Sequence, residues 1–258
     1  MRSYAYLFSQ LVQRELRRKY KGSTLGIAWY LVNPLLLLGA YTLMFGYVLK
    51  VQTHPYFPVF LMIGLMVWVF FQQSLTAAAE SLIDQGALVR KARFPRGTIP
   101  AASVVVQLVT LGVILVIVVP LALALRDTAG AALLLLPVVL AALFCFVLGC
   151  ALIVSVTHAY FRDVSPTLTA VLVPWFFLTP TFLQLDTIHY VQHHPAVRVL
   201  LDWVNPLAPF IEAFRAILYY GNAPSWGRLV YVLAAGAVFL GLGALLFRRM
   251  EGDLAVVV

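Results

Sequence analysis

The chain has 258 residues, 62% of them hydrophobic and only 11% charged, with a mean hydropathy of +0.94 and a formal net charge of +8. That composition cannot solvate a surface, which excludes a soluble globular domain, and the length allows several spans of about 20 residues without room for a soluble catalytic domain beside them. The basic residues cluster beside apolar runs and not among base-stacking aromatics, so they point to anionic headgroups and membrane topology and away from nucleic acid.

The chain opens on an amphipathic segment over residues 3–21. Tyr4, Leu7, Phe8, Leu11, Val12 and Leu16 recur at helical spacing, while Arg14, Arg17, Arg18, Lys19 and Lys21 crowd the other faces. This pattern predicts a helix lying in the membrane surface. No cleavable signal fits, because the basic region follows the apolar residues. Gly22 and Gly26 break the register, and apolar spans follow at about 26–49, 57–79, 99–125, 131–159, 167–185 and 226–247. The reading is a single all-α polytopic membrane domain with six transmembrane helices. With both termini cytoplasmic, thirteen Lys and Arg residues fall inside and five outside, namely Lys50, Arg126, Arg198, Arg215 and Arg228. That asymmetry fixes the orientation.

Between the second and third spans, Ser81–Val89 is expected to form a short cytoplasmic helix, with Asp84 near its start and Arg90, Lys91 and Arg93 at its end, as the helix dipole favours. Pro95 and Pro100 then turn the chain, and a shorter basic-side loop carries Arg162 and Asp163. The stretch from Asp186 to Ser225 is long, outside and still apolar. Asn205 suits an N-cap, Pro206 the first helical position and Gly221 the position past the end. A helix over 206–220, with Leu207, Phe210, Ile211, Phe214 and Leu218 on one face and Glu212 able to pair with Arg215, is too short to cross. It is expected to be re-entrant or interfacial, at the edge of a cavity.

Catalytic signatures are lacking. KGST at 21–24 has the residue types of a phosphate loop in the wrong order, and neither HExxH nor GxSxG occurs. Cys145 and Cys150 share one apolar run, where a disulfide is implausible. His189, His193 and His194 have helical metal spacing without a third ligand type nearby, so no metal site is expected. An intramembrane glycan-modifying enzyme would need embedded acids or histidines; only Glu80 and His158 come close, near span ends.

The run RELRRKYKGSTLGIAWYLVNPLLLLGAYTLMFGYVL resembles the N-terminal signature of permease subunits of ABC-2 type polysaccharide exporters, which move O-antigen, capsular polysaccharide or teichoic acid. LVRKARFPRGTIP, YFRDVSP and NPLAPFIEAFRAILYYG agree with that family in order and spacing. The resemblance implies a multi-pass protein of the bacterial inner membrane, a homodimer with a channel for a lipid-linked glycan, two copies of a cytoplasmic nucleotide-binding subunit that hold ATP and magnesium, and periplasmic export proteins as further partners. It implies no cofactor in this chain. By the same resemblance 3–21 is an interface helix, 81–93 the main coupling helix and 187–221 the outer gate helices, with Phe210 and Phe214 as gate side chains. Coupling falls to Asp84, Arg90, Lys91, Arg93, Arg162 and Asp163, and capture of a lipid phosphate to Arg14, Arg17 and Arg18, whose guanidinium groups can hold phosphate through paired hydrogen bonds.

For the channel, polar groups at membrane depth qualify Asn33, Gln72, Gln73, Thr179, Thr181 and Gln184, of which Asn33, Gln72, Gln73 and Thr181 are taken as lining. Trp29, Tyr30, Tyr41, Trp175 and Phe177 offer flat faces for sugar rings, with an interfacial belt or core packing as the alternative. Pro174 and Pro180 bend the fifth span, which suits a helix that lines something. The competing function within the same family is export of a small drug or lipid.

Overall fold

The computed structural model describes residues 2–20, 29–48, 55–90, 95–126, 130–182, 193–252 and 254. Among them every regular element is a helix. In chain order these are α1 (Arg2–Tyr20), α2 (Trp29–Tyr41, continued by π-helical turns over Thr42–Val48), α3 (Phe57–Asp84), α4 (Gly86–Val89), α5 (Thr98–Arg126) and α6 (Leu136–Tyr160, entered through a 3₁₀ segment at Ala131–Leu135). Then follow α7 (Val164–Leu178), α8 (Pro195–Val199, continued by π-helical turns over Leu200–Val204), α9 (Ala208–Leu218) and α10 (Trp226–Met250).

Among the described residues four helices are long and apolar enough to cross a membrane: α3, α5, α6 with its 3₁₀ entrance, and α10. Their burial separates their roles. In α3, 83% of the apolar stretch is buried, against 33% in α5 and α6 and 17% in α10. A helix apolar on all sides belongs inside a bundle, and α3 is packed by α2, α5, α6, α7 and α9. The other three each bury one face and leave residues such as Val116, Val230 and Leu242 exposed.

The helices α3, α5, α6, α7 and α10 alternate in direction along the chain, and contacts define the two ends of the bundle. At one, the basic end, the Arg96 guanidinium donates to the Glu251 carbonyl, Tyr160 Oη to the Met250 carbonyl (2.7 Å) and Ser165 Oγ to Glu80 Oε1 (3.3 Å). Those bonds join the chain ends of α3, α5, α6, α7 and α10. At the far end Arg126 Nε donates to the Tyr219 carbonyl (3.2 Å) and Tyr219 Oη to the Pro55 carbonyl.

Glycine sets the closest contact. α6 and α10 run parallel, and Cβ atoms at Gly149, Gly236 and Gly243 would collide with the backbones of Phe239, Ala142 and Gly149 respectively. Residues 142 and 149 on one helix face 236 and 243 on the other, a seven-residue repeat that keeps small residues on the shared seam. Such a seam brings backbones together where lipid supplies no hydrophobic drive.

Three elements depart from the sequence expectation. The short helix expected over 81–89 does not start at Ser81: Ala78, Ala79, Ser81 and Leu82 are buried on the inner face of α3, which holds the chain helical to Asp84. The break comes at Gln85, and α4 is only four residues long. The fifth span, expected over 167–185, leaves helical geometry after Leu178, because Thr179 precedes Pro180 and takes an extended conformation (φ −94°, ψ 134°). Near the far end α9 is eleven residues long. Asn205 is expected at the N-cap, but the helix begins at Ala208 with Leu207 at the cap position; Asn205 instead holds the turn before it, its Oδ1 accepting from the Leu207 N–H (3.2 Å) and its carbonyl from the Ala208 N–H (3.2 Å). Gly221 closes the segment at φ 69°, where a Cβ would be strained.

α1 buries Leu11 and half-buries Phe8, Val12, Glu15 and Leu16, while Arg14 and Arg17 stay exposed. That face packs on α5, and Gln85 Nε2 donates to Glu15 Oε1 at 2.8 Å.

Candidate functional site

A groove of about 490 Å³ runs between α2, α3 and α7 at the middle of the bundle. Its polar wall is Asn33, Gln72, Gln73 and Thr76, and its flat wall is Tyr41, Trp68, Phe176 and Phe177, with aliphatic side chains between. On α3 the spacing makes the site: Leu65, Trp68, Val69, Gln72, Gln73 and Thr76 fall at helical intervals along one stripe. Among the described residues the lining carries no Lys, Arg, His, Asp or Glu.

Five of the sequence-selected channel residues, Asn33, Tyr41, Gln72, Gln73 and Phe177, come together there. Trp175 and Thr181 lie behind the wall. Trp175 Nε1 donates to Asn205 Oδ1 (3.1 Å) and its ring meets Phe71 edge-on, at 5.3 Å between centroids. Thr181 is fully buried, its carbonyl bound to Arg215. Trp29 is exposed at the start of α2, away from the lining, and the Tyr30 side chain lies outside the described residues. Trp68 and Phe176 escaped the sequence reading. Trp68 Nε1 donates to Gln72 Oε1 at 3.0 Å, a pairing one helical turn apart, so the i, i+4 spacing of an indole and an amide was the available signal. Tyr41, Trp68 and Phe176 continue as one aromatic layer, with Phe176 5.5 Å from Tyr41 and 5.3 Å from Trp68.

Beyond the groove, toward the far end, α9 is held by charge and packing. Phe210 and Phe214 are both fully buried, and Phe210 meets Phe146 at 5.2 Å. Arg215 is also fully buried. Its Nη1 donates to the Pro180 carbonyl (2.7 Å) and pairs with Glu212 Oε1 (3.0 Å), its Nη2 donates to the Thr181 carbonyl (2.5 Å), and its guanidinium sits 3.6 Å over the Phe60 ring. Gly64 makes room for this, since a Cβ there would come within 2.5 Å of the Thr181 oxygen. Arg228 bridges Glu212 (3.9 Å) and Asp202 (3.4 Å), which ties α9 and the α8 segment to α10.

At the basic end Asp84, Arg90, Arg162 and Asp163 are exposed, around the α3–α4 break and the α6–α7 turn. Lys91 and Arg93 lie outside the described residues, as does the Arg18 side chain. Glu80 and His158 serve the start of α7: Glu80 accepts from Ser165 Oγ, and His158 Nδ1 accepts from the Ser165 N–H at 3.3 Å. His193 and His194 are exposed, His189 is outside the described residues, and among the described residues no three His, Cys, Asp or Glu side chains converge.

A groove that sets uncharged amides against aromatic rings inside an apolar helical bundle suits a permease, and the ABC-2 type transporter family matches residues 6–219. The chain belongs to the ABC-2 type transporter family. Membership makes this permease a transporter's membrane subunit that works with an ATP-binding partner. It is 31% identical over 252 residues to the O-antigen export system permease protein RfbA of Myxococcus xanthus, covering 98% of this chain and 95% of that protein. It is also 28% identical over 255 residues to a protein of the same description in Klebsiella pneumoniae, covering 95% and 93%.

Proposed function

We propose that this permease is the membrane half of an ATP-driven exporter that carries lipid-linked polysaccharide from the cytoplasm across the bacterial inner membrane. The observation that carries the reading is the α2–α3–α7 groove, whose flat aromatic faces and uncharged amides suit a long repetitive sugar chain. Aromatic faces hold the C–H surfaces of sugars without demanding one hydroxyl pattern, and amides exchange hydrogen bonds with hydroxyls as they pass. The near full-length similarity to two O-antigen export permeases supports it.

The proposal includes six crossings with both termini cytoplasmic. The apolar helix Val32–Val48, in α2 and its π-helical continuation, is taken as the first crossing, and α7 with the chain after it as the fifth. At eleven residues α9 is too short to cross, which favours a re-entrant gate. A groove that opens sideways at membrane depth calls for protein around its polar wall, which favours a homodimer closing the channel between α2 and α7 of two copies. In this scheme Arg14, Arg17 and Arg18 meet the lipid phosphate at the cytoplasmic leaflet. Asp84, Arg90, Lys91, Arg93, Arg162 and Asp163 meet the two ATP-binding subunits, which supply ATP and magnesium. A periplasmic export protein would receive the polymer.

The test is reconstitution of the permease with its ATP-binding subunit in vesicles loaded with lipid-linked glycan. ATP should move glycan to the compartment facing the far end, and the glycan should stimulate hydrolysis. Hydrolysis indifferent to glycan but stimulated by a small amphiphile would replace this reading with export of a drug or lipid.

A further inference from the structure

Trp68 lines the groove but is only 3% exposed, too buried to stack on a passing sugar. Its indole nitrogen can only donate, so the bond to Gln72 Oε1 fixes which end of that amide faces the wall. The Gln72 carbonyl is turned to Trp68, and its NH₂ is left for the groove. Thr76 is committed as well: Oγ1 lies 3.0 Å from the Gln72 carbonyl and 3.2 Å from the Gln73 carbonyl, so its hydrogen goes to the backbone and its lone pairs remain. Among the described residues the side-chain amides of Asn33 and Gln73 make no hydrogen bond, although both line the groove. The exposed stacking surface is Phe177, beside half-buried Tyr41.

Resting on the polysaccharide-export reading, we infer that the groove selects uncharged glycan, and that Trp68 is the positioning residue that holds Gln72 with its NH₂ toward the sugar. The charge argument is independent of the family. Hydroxyls and acetamido groups find partners in Asn33, Gln72 and Gln73, whereas a carboxylate or phosphodiester on every repeat meets a low-dielectric aromatic wall that, among the described residues, holds no cation. The three arginines packed around α9 do not relieve this. Arg215 and Arg228 are paired with Glu212 and Asp202, and Arg126 is bound to the Tyr219 carbonyl with its guanidinium 4.3 Å over the Tyr219 ring.

The test uses one material in two forms: a lipid-pyrophosphate-linked mannan, and the same mannan after selective oxidation of its C6 hydroxymethyl groups to carboxylates. Lipid, length and linkage are then matched. In vesicles carrying the permease with its ATP-binding subunit, export of the neutral form should exceed that of the carboxylated form by about tenfold or more, and Gln73→Lys should narrow the ratio to about threefold or less. Equal export of both forms by the unmodified permease overturns the selectivity while leaving export itself standing. Transport of neither form, with no glycan-stimulated hydrolysis, removes the export reading and this inference together. The positioning role has its own readout. Trp68→Phe keeps the buried ring and loses the N–H, and should raise the KM for neutral glycan by about fivefold with kcat retained. Gln72→Glu keeps an acceptor for the Trp68 N–H but removes the amide hydrogens, and should raise that KM at least as much. An unchanged KM in both variants means that Trp68 only packs.

Discussion

A buried guanidinium is costly unless each of its faces is met, and Arg215 is met on nearly all of them: two carbonyls, one carboxylate and one aromatic ring, with only Nε unpartnered. The planar fork is what lets one side chain reach both Pro180 and Thr181. Lysine offers a point charge, so Arg215→Lys should already destabilise, and Arg215→Ala, which strands two carbonyls and leaves Glu212 only its longer contact to Arg228, should cost about 3–5 kcal/mol. Thermal unfolding in detergent reads this, and a wild-type transition for Arg215→Lys would mean that charge alone suffices there. The glycines give a sharper contrast within α10. A Cβ on Gly243 would meet the backbone of Gly149, which cannot move aside, whereas nothing lies within 4 Å of the corresponding position at Gly241. Gly243→Ala is therefore expected to destabilise by about 1–3 kcal/mol or more. Gly241→Ala should gain about 0.5–1 kcal/mol through helix propensity alone. Equal effects of the two would remove the glycine seam from the account of α6–α10 packing.

At the scale of elements, α9 is placed by one side chain that belongs to the turn before it. Asn205 accepts from Trp175 Nε1 and the Leu207 N–H, and donates to Thr179 Oγ1 (2.9 Å) and the Leu178 carbonyl (3.4 Å), so a single amide joins the end of α7 to the start of α9. Asn205→Ala should cost about 1–3 kcal/mol by leaving buried donors and acceptors unmade, and protease cleavage within 200–210 should quicken relative to cleavage at the basic end. Uniform cleavage kinetics would argue that packing of Phe210 and Phe214, and not Asn205, seats the helix. Local chemistry of this kind was legible in part: the glycine at positive φ and the apolar stripe of α9 are readable from the sequence, whereas the helix starts two residues later than Pro206, at Ala208. Elements set by their surroundings were not. Nothing local distinguishes Ser81–Asp84 as a loop helix from Ser81–Asp84 as the last turn of α3; burial of Ser81 and Leu82 decides it. Likewise polarity at membrane depth selected Gln72 and Thr181 alike, and only packing puts the first on the groove and the second behind it. Aromatic residues are equally ambiguous, since Trp175 and Trp68 differ in sequence only by neighbours, while one anchors Asn205 and the other orients Gln72.

For the whole molecule, the charge asymmetry from which the orientation is expected looks different once partners are known. Of the five cations assigned outside, Arg126, Arg215 and Arg228 are bound to groups of the far end and are parts of its packing, so they are poor topology signals. The basic end instead exposes Arg14, Arg17, Arg90 and Arg162. Exposed cations near short loops are the ones that hold a segment in the cytoplasm, and the basic end is where they are found. Single cysteines can check this orientation directly. In a background with Cys145 and Cys150 replaced by alanine, Asp163→Cys in the exposed α6–α7 turn and Asn222→Cys in the exposed segment before α10 sit at opposite ends of the bundle. In intact bacteria with a permeabilised outer membrane, a membrane-impermeant maleimide should label Asn222→Cys and leave Asp163→Cys unlabelled until the inner membrane is opened. The reverse pattern would turn the bundle over and put α4 and the α6–α7 turn out of reach of any cytoplasmic ATP-binding subunit. Labelling of both in intact cells would break the odd number of crossings between them, and with it the six-span count.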